Sequence, residues 1–244
     1  MGIFALLITE KVRELSMKTE GLTVTAPGGA ERVLLHTCCA PCSSAIVECL
    51  LRSGITPVIY YCNPNIYPEE EYLIRKNECS RYAASLGLEI VDADYDHGAW
   101  LAGVTRMASE AGVGNIASEP ERGGRCLQCF KFRLLKAAEY AAENGFSVLS
   151  TTLASSRWKS LDQINAAGRW AVERVKASRQ SAAAVPGDKV LGAEIPAQDS
   201  PDSGLVWWEQ NWRKGGLQER RGEIIKEYNF YNQLWCGCEF SRRG

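Results

Sequence analysis

Arg32-Val33-Leu34-Leu35-His36-Thr37-Cys38-Cys39-Ala40-Pro41-Cys42-Ser43 is a short apolar run that breaks at three thiols. An amphipathic segment, Ala45 to Leu51, follows at once. The pattern is that of strand, tight turn and helix. It sets Cys38, Cys39 and Cys42 at the carboxyl end of a strand and the amino end of a helix. There the free backbone N–H groups and the helix dipole favour anions, thiolates among them. Two later clusters, Cys126-Leu127-Gln128-Cys129 and Cys236-Gly237-Cys238, read as organised around this one.

Outward from that stretch the same alternation continues. Strands are predicted at Arg32 to Thr37, Ile55 to Tyr61, Leu88 to Val91, Ser147 to Thr151 and Leu205 to Trp207, and helices at Ser43 to Arg52, from Pro68 to Gly87, at Trp100 to Ala111, Arg125 to Asn144, from Ser160 or Asp162 to Val175, and at Leu217 to Tyr228. Strands alternating with helices predict an α/β fold with a parallel, doubly wound sheet. Ligands of such sheets bind beyond the carboxyl ends of the strands. That places a site on the loops Thr37 to Cys42, Cys62 to Tyr67, Asp92 to Asp96 and Thr151 to Lys159. Residues 1–30 read as a flexible extension and 31–244 as one catalytic α/β domain. Within it, the Ala-, Pro-, Gly- and Ser-rich stretch 178–203 has no period and reads as a mobile insertion.

Composition is that of a globular protein: 244 residues, 45% hydrophobic, 23% charged and a net charge of −1. No global basic field announces a nucleic-acid binder, so any such contact has to come from a local face. No run approaches the roughly 20 apolar residues of a membrane span. The apolar opening segment lacks a basic leader and a small-residue cleavage site, so the expected location is cytoplasmic and no membrane contact is expected.

Ten cysteines in such a chain point to metal or redox chemistry rather than to disulfides. Cys49 and Cys79 fall on helix faces and Cys62 ends a strand, positions that suit packing. Seven lie in the three clusters. Cys126 and Cys129 stand i, i+3 at a helix start and can face one metal, and Gly237 lets the backbone bend between Cys236 and Cys238. Six or seven thiols exceed one tetrahedral ion and suit an iron–sulfur cluster with a second metal beside it. A thioredoxin-like thiol oxidoreductase would use only Cys39 and Cys42, and a zinc-stabilised RNA-binding module would need no catalysis. Trp207, Trp208 and Trp212 read as packing, with a base-stacking role left open beside Arg213 and Lys214.

Several stretches taken in order resemble the epoxyqueuosine reductase QueH family. They are His36-Thr37-Cys38-Cys39-Ala40-Pro41-Cys42-Ser43, Tyr61-Cys62-Asn63-Pro64-Asn65-Ile66, Asp94-Tyr95-Asp96, Glu119 to Phe130 around Cys126 and Cys129, Thr151-Thr152-Leu153, and Trp235-Cys236-Gly237-Cys238-Glu239-Phe240-Ser241. The resemblance spans Arg32 to Ser241. The N-terminal extension, the 178–203 insertion and the bulky Ser156-Arg157-Trp158-Lys159 depart from the compact pattern. It implies a HUP-like fold, similar to the PP-loop and adenine-nucleotide hydrolase group, with a cysteine-rich C-terminal tail. Thr37 to Pro41 stands where that group carries a Gly-rich phosphate loop, which argues against ATP use. The implied activity is the last step of queuosine biosynthesis: an oxidoreductase turns epoxyqueuosine at the wobble position of tRNA into queuosine by removing the epoxide oxygen.

The cofactors implied are a 4Fe-4S cluster and an additional mononuclear iron, with an electron donor of unknown identity. The expected metal ligands are Cys38, Cys39, Cys126, Cys129, Cys236 and Cys238, with Cys42 a seventh candidate outside that set. Asp94 and Asp96 are the expected catalytic carboxylates, as proton donor or further ligand. Asn63, Asn65, Arg125 and Lys159 are expected to bind substrate. A wider basic rim for RNA is drawn from Arg75, Lys76, Arg81, Arg122, Lys131, Arg133, Arg157, Arg213 and Lys214.

Overall fold

A computed structural model describes residues 21–183 and 204–241. Its five strands are β1 (Arg32–Thr37), β2 (Thr56–Tyr61), β3 (Ile90–Asp92), β4 (Val148–Thr151) and β5 (Val206–Trp207). The α-helices are α1 (Ala40–Arg52), α2 (Glu69–Ser85), α3 (His97–Glu110), α4 (Gly124–Glu143), α5 (Leu161–Ala183) and α6 (Leu217–Glu227). The strands form one all-parallel sheet in the order β3-β2-β1-β4-β5. The doubly wound α/β architecture is the one the alternating pattern predicts.

Alternation of side chains across β1 builds two cores. Val33 and Leu35 pack into one, with α1, α2 and α6. Leu34, held between Val58 and Leu149 in register, packs into the other, with α4 and α5. At the edge, Trp207 lies so close to Gly168 of α5 that a Cβ there would come within 2.1 Å of the indole ring. Trp208 and Trp212 meet edge-on with centroids 5.7 Å apart and are buried, as Trp207 is. The three tryptophans are core, so the stacking role left open for them fails.

Strand order reverses beside β1, between β2 on one side and β4 on the other. The crevice beyond the carboxyl ends of β1 and β4 is therefore where a doubly wound sheet places its ligand. The turn after β1 carries Cys38 and Cys39, and a 3-10 turn, Thr152–Ser155, follows β4.

Several boundaries differ from expectation for local reasons. α1 begins at Ala40, with Pro41 in its first turn, so Cys42 lies inside the helix. α3 begins at His97 because Asp96 caps it, its Oδ1 accepting from Ala99 N at 2.7 Å. α5 continues to Ala183, so 178–183 of the expected insertion are helical, and 184–203 lie outside the described residues. Of the expected N-terminal extension, 1–20 lie outside them too. Residues 21–30 run against α1: Leu22 O accepts from Cys49 Sγ and Arg52 Nη2, and Val24 N donates to Ser53 Oγ. Among the described residues, no helix is long and apolar enough to cross a membrane.

One buried ion pair fixes α6 to α1. Arg220 grips both oxygens of Glu48, at 2.7 and 2.9 Å, and also meets Glu223 and Glu227. Next to it, Arg221 Nε donates to Pro41 O at 2.8 Å, beside the thiol turn. Removing one partner leaves the other charge buried and unpaired, at a cost of about 3–5 kcal/mol. Arg220→Met is therefore expected to lower the thermal midpoint by roughly 6–20 °C, from about 2–4 °C per kcal/mol for a chain this long. Arg220→Met with Glu48→Leu should recover most of the loss. Unfolding of Arg220→Met at the wild-type temperature would contradict this assignment.

Candidate active site

All seven clustered cysteines line one cavity of about 720 Å³ at the β1–β4 crevice. The backbone that delivers them comes from three places. Cys38, Cys39 and Cys42 lie on the turn after β1 and the start of α1. Cys126 and Cys129 lie on the first two turns of α4, whose start is set by Glu119 Oε2 accepting from Gly124 N at 2.6 Å. Cys236 and Cys238 lie on the C-terminal tail.

The tail is sewn onto the loop after β2. Ile66 and Cys238 form an antiparallel bridge, and Tyr67 N donates to Gly237 O at 2.9 Å. Buried Arg75 of α2, paired with Glu71, donates to Cys236 O at 3.2 Å and Trp235 O at 3.3 Å. Gly237 has φ +95°, and a Cβ there would meet Ile66 and Arg75 at 2.9 Å, so only glycine fits between the two cysteines. His97 bridges Pro64 O and Glu239 Oε1, at 2.8 and 3.0 Å.

The thiols of Cys38, Cys39 and Cys42 all lie within 4.8 Å of one another, and Cys38 and Cys39 are 3.9 Å apart. Thiolates bound at ~2.3 Å around one tetrahedral ion stand about 3.8 Å apart, so this trio fits a metal ion. Charge within it settles on Cys38. Hydrogen bonds from Cys39 and Cys42 pull its pKa well below the usual thiol value, and Lys159 and Arg133 add to the pull. Burial, then the bond to Cys38, pushes Cys39 up, and the bond to Cys38 pushes Cys42 up to about 12. Gln233 Nε2 donates to Cys39 Sγ at 2.7 Å. All ten cysteines are free thiols.

The cavity is strongly cationic although the chain carries a net charge of −1. Its lining includes Arg75, Arg122, Arg125, Arg133, Arg157 and Lys159, with Arg221 beside them, against one acidic residue, Glu121. Arg133 is only 2% exposed. Its Nε donates to Cys62 O at 3.1 Å and its Nη2 to Asn63 Oδ1. Burial works against the charges of Arg133 and Lys159, but nearby thiolates outweigh it, chiefly Cys129 for the first and Cys236 for the second, and raise both pKa values. His36, between Thr151 Oγ1 and Cys62 O, is held neutral: burial first, then Arg133, drops its pKa to about 3.

Arg125 and Lys159 line the cavity as expected of substrate contacts, and Arg125 leaves its buried Nε and Nη2 without partners there. Asn65 Oδ1 is likewise buried and unpaired at the wall. Asn63 is engaged on both sides, with Nδ2 on Thr37 O and Oδ1 on Arg133, and so fixes the strand ends. Asp94 and Asp96 are exposed and outside the lining, and capping α3 accounts for Asp96. Of the wider basic rim, Lys76, Arg81, Lys131, Arg213 and Lys214 also lie outside it. Cys42, left out of the expected ligand set, belongs to the closest thiol group. Its i, i+3 spacing from Cys39 at a helix start was the available signal. Arg133, expected in the basic rim, is instead buried, four residues after Cys129 on the same face of α4.

The family model described as "Epoxyqueuosine reductase QueH" matches residues 33–182 and 191–244. Curated relatives carry the same description. The Histophilus somni protein is 42% identical over 217 residues, covering 89% of this chain and 74% of that protein. The Haemophilus influenzae protein is 41% identical with the same coverage. The Acinetobacter baylyi protein is 39% identical over 227 residues, covering 93% and 88%. With the matched family model spanning every cysteine cluster in the cavity, the chain belongs to the epoxyqueuosine reductase QueH family.

Proposed function

We propose that this chain is an epoxyqueuosine reductase acting on tRNA, with a thiolate-bound iron–sulfur centre in the cationic cavity. The observation that carries the reading is the convergence of three separate cysteine clusters on one such cavity, in a chain of this family. The reaction consumes two electrons and two protons, breaks both C–O bonds of the epoxide, and yields an alkene and water. It belongs in the cytoplasm, where thiols stay reduced.

Cys38, Cys39, Cys126, Cys129, Cys236 and Cys238 are the proposed metal ligands, and Cys42 joins them because its thiol lies with the first two. When bound, an iron–sulfur cluster with an accompanying mononuclear iron would supply electrons singly and polarise the epoxide oxygen. The chain's own residues do the rest. The Lys159 ammonium, kept charged at the cavity wall, can donate a hydrogen bond to the leaving oxygen as negative charge builds on it. Asn65 Oδ1 offers an acceptor to a ring hydroxyl, and the free nitrogens of Arg125 offer donors. Burial of the site behind the docked tail limits water at the reacting centre.

The direct test is anaerobic incubation with epoxyqueuosine-bearing tRNA and a low-potential reductant, followed by nucleoside mass analysis. Gain of queuosine equal to loss of the epoxide is expected, and an unchanged epoxide would contradict the reading. Alanine at any of the six ligand cysteines should cut bound iron and turnover by more than about 100-fold, at least the loss seen when outer-shell partners of metal sites are removed. Cys49→Ala, in the core and outside the cavity lining, should keep both. A fully active variant among the six would remove that residue from the set. Affinity for tRNA should fall steeply between low and moderate salt, because phosphate contacts release counterions. A salt-independent affinity would exclude the cationic rim as the RNA contact.

A further inference from the structure

The most exposed large apolar side chains among the described residues are Leu234, at 94%, and Trp158, at 78%; the next, Tyr67, is at 47%. Both line the mouth of the active-site cavity. Trp158 follows the 3-10 turn after β4, at the crevice where the strand order reverses. Its backbone is clamped before any ligand arrives. Arg122 donates through Nη2 to Arg157 O at 2.7 Å and through Nε to Trp158 O at 3.0 Å. Arg213 Nη2 donates to Lys159 O at 2.8 Å. Two guanidinium groups thus fix three successive carbonyls, so little loop ordering remains to oppose binding.

We propose that Trp158 is a stacking platform for the base next to the one that enters the cavity. The proposal rests on the tRNA-reductase reading above and adds the subsite that receives the flanking nucleotide. A base that turns out of its stack into a pocket leaves its neighbour with a bare face. An exposed indole supplies the missing face, and the exposed side chain of Arg157 beside it meets an adjoining phosphate. Charge selects RNA over a protein partner as the occupant. An apolar protein surface seated on Trp158 and Leu234 would strip water from this cation without replacing it by an anion.

The test compares wild type, Trp158→Ala and Trp158→Phe on an epoxyqueuosine-bearing anticodon stem-loop, with turnover, affinity by fluorescence anisotropy, and iron and sulfide content. Trp158→Ala is expected to weaken binding about 10- to 100-fold, the range for loss of one stacked base. Trp158→Phe should restore most of it, with iron and sulfide equal to wild type in both. Replacing the flanking nucleotide by an abasic one should weaken wild type and bring it level with Trp158→Ala. Turnover by wild type together with Trp158→Ala binding within twofold of it would overturn the stacking subsite alone. Wild type that leaves the stem-loop epoxide intact would overturn the reductase reading, and the subsite with it.

Discussion

A guanidinium with almost no exposure cannot stand in a protein interior unless its charge is matched, because stripping its water costs several kcal/mol. Arg133 is such a group, and what matches it explains the site. It holds Cys62 O and Asn63 at the end of β2, and it faces the thiols of Cys129, Cys38 and Cys236. The dependence runs both ways. Burial raises the pKa values of Cys126, Cys129 and Cys238, so bringing thiolates together here requires buried cations around them. Cations and thiols converge in one cavity because neither set is tolerable there alone.

The sheet supplies the geometry. Reversal of strand order beside β1 opens a crevice, and the turn after β1 fills one wall of it with three thiols. The C-terminal tail, which has little regular structure of its own, completes the opposite wall. Backbone contacts hold it, in the Ile66–Cys238 bridge and the two carbonyls gripped by Arg75, and tail side chains add to them, Glu239 on His97 and Tyr231 on Glu71. Gly237 is demanded by the fit itself.

Much of this was legible in the sequence. β1 and the helix after it follow from an apolar run that breaks at a Cys-Pro turn, and the parallel sheet follows from repetition of that unit. The cysteine spacing pointed to a metal, and the resemblance to the QueH family, not the spacing, pointed to the reaction. What local pattern could not show was pairing between distant segments. Arg133 and Arg75 look like surface charges in their helices, and only the tertiary arrangement buries them against thiols and carbonyls. Asp96 looked like chemistry because it stands at a strand end, but an Asp directly before a helix is as well explained by capping. Trp207, Trp208 and Trp212 drew attention as a cluster and are core, whereas Trp158 drew none as a potential base-stacking residue and is exposed at the cavity mouth. Exposure, unlike hydrophobicity, is set by what packs over a residue.

The claim that most depends on this account is that the cavity is built for a redox-active iron–sulfur centre. Purification without oxygen, followed by determination of iron, zinc and acid-labile sulfide, tests it most directly. The account predicts brown protein with iron and sulfide in stoichiometric amounts. Colourless protein with stoichiometric zinc and no sulfide, unchanged after attempted reconstitution, would contradict it and leave a metal-stabilised RNA-binding fold.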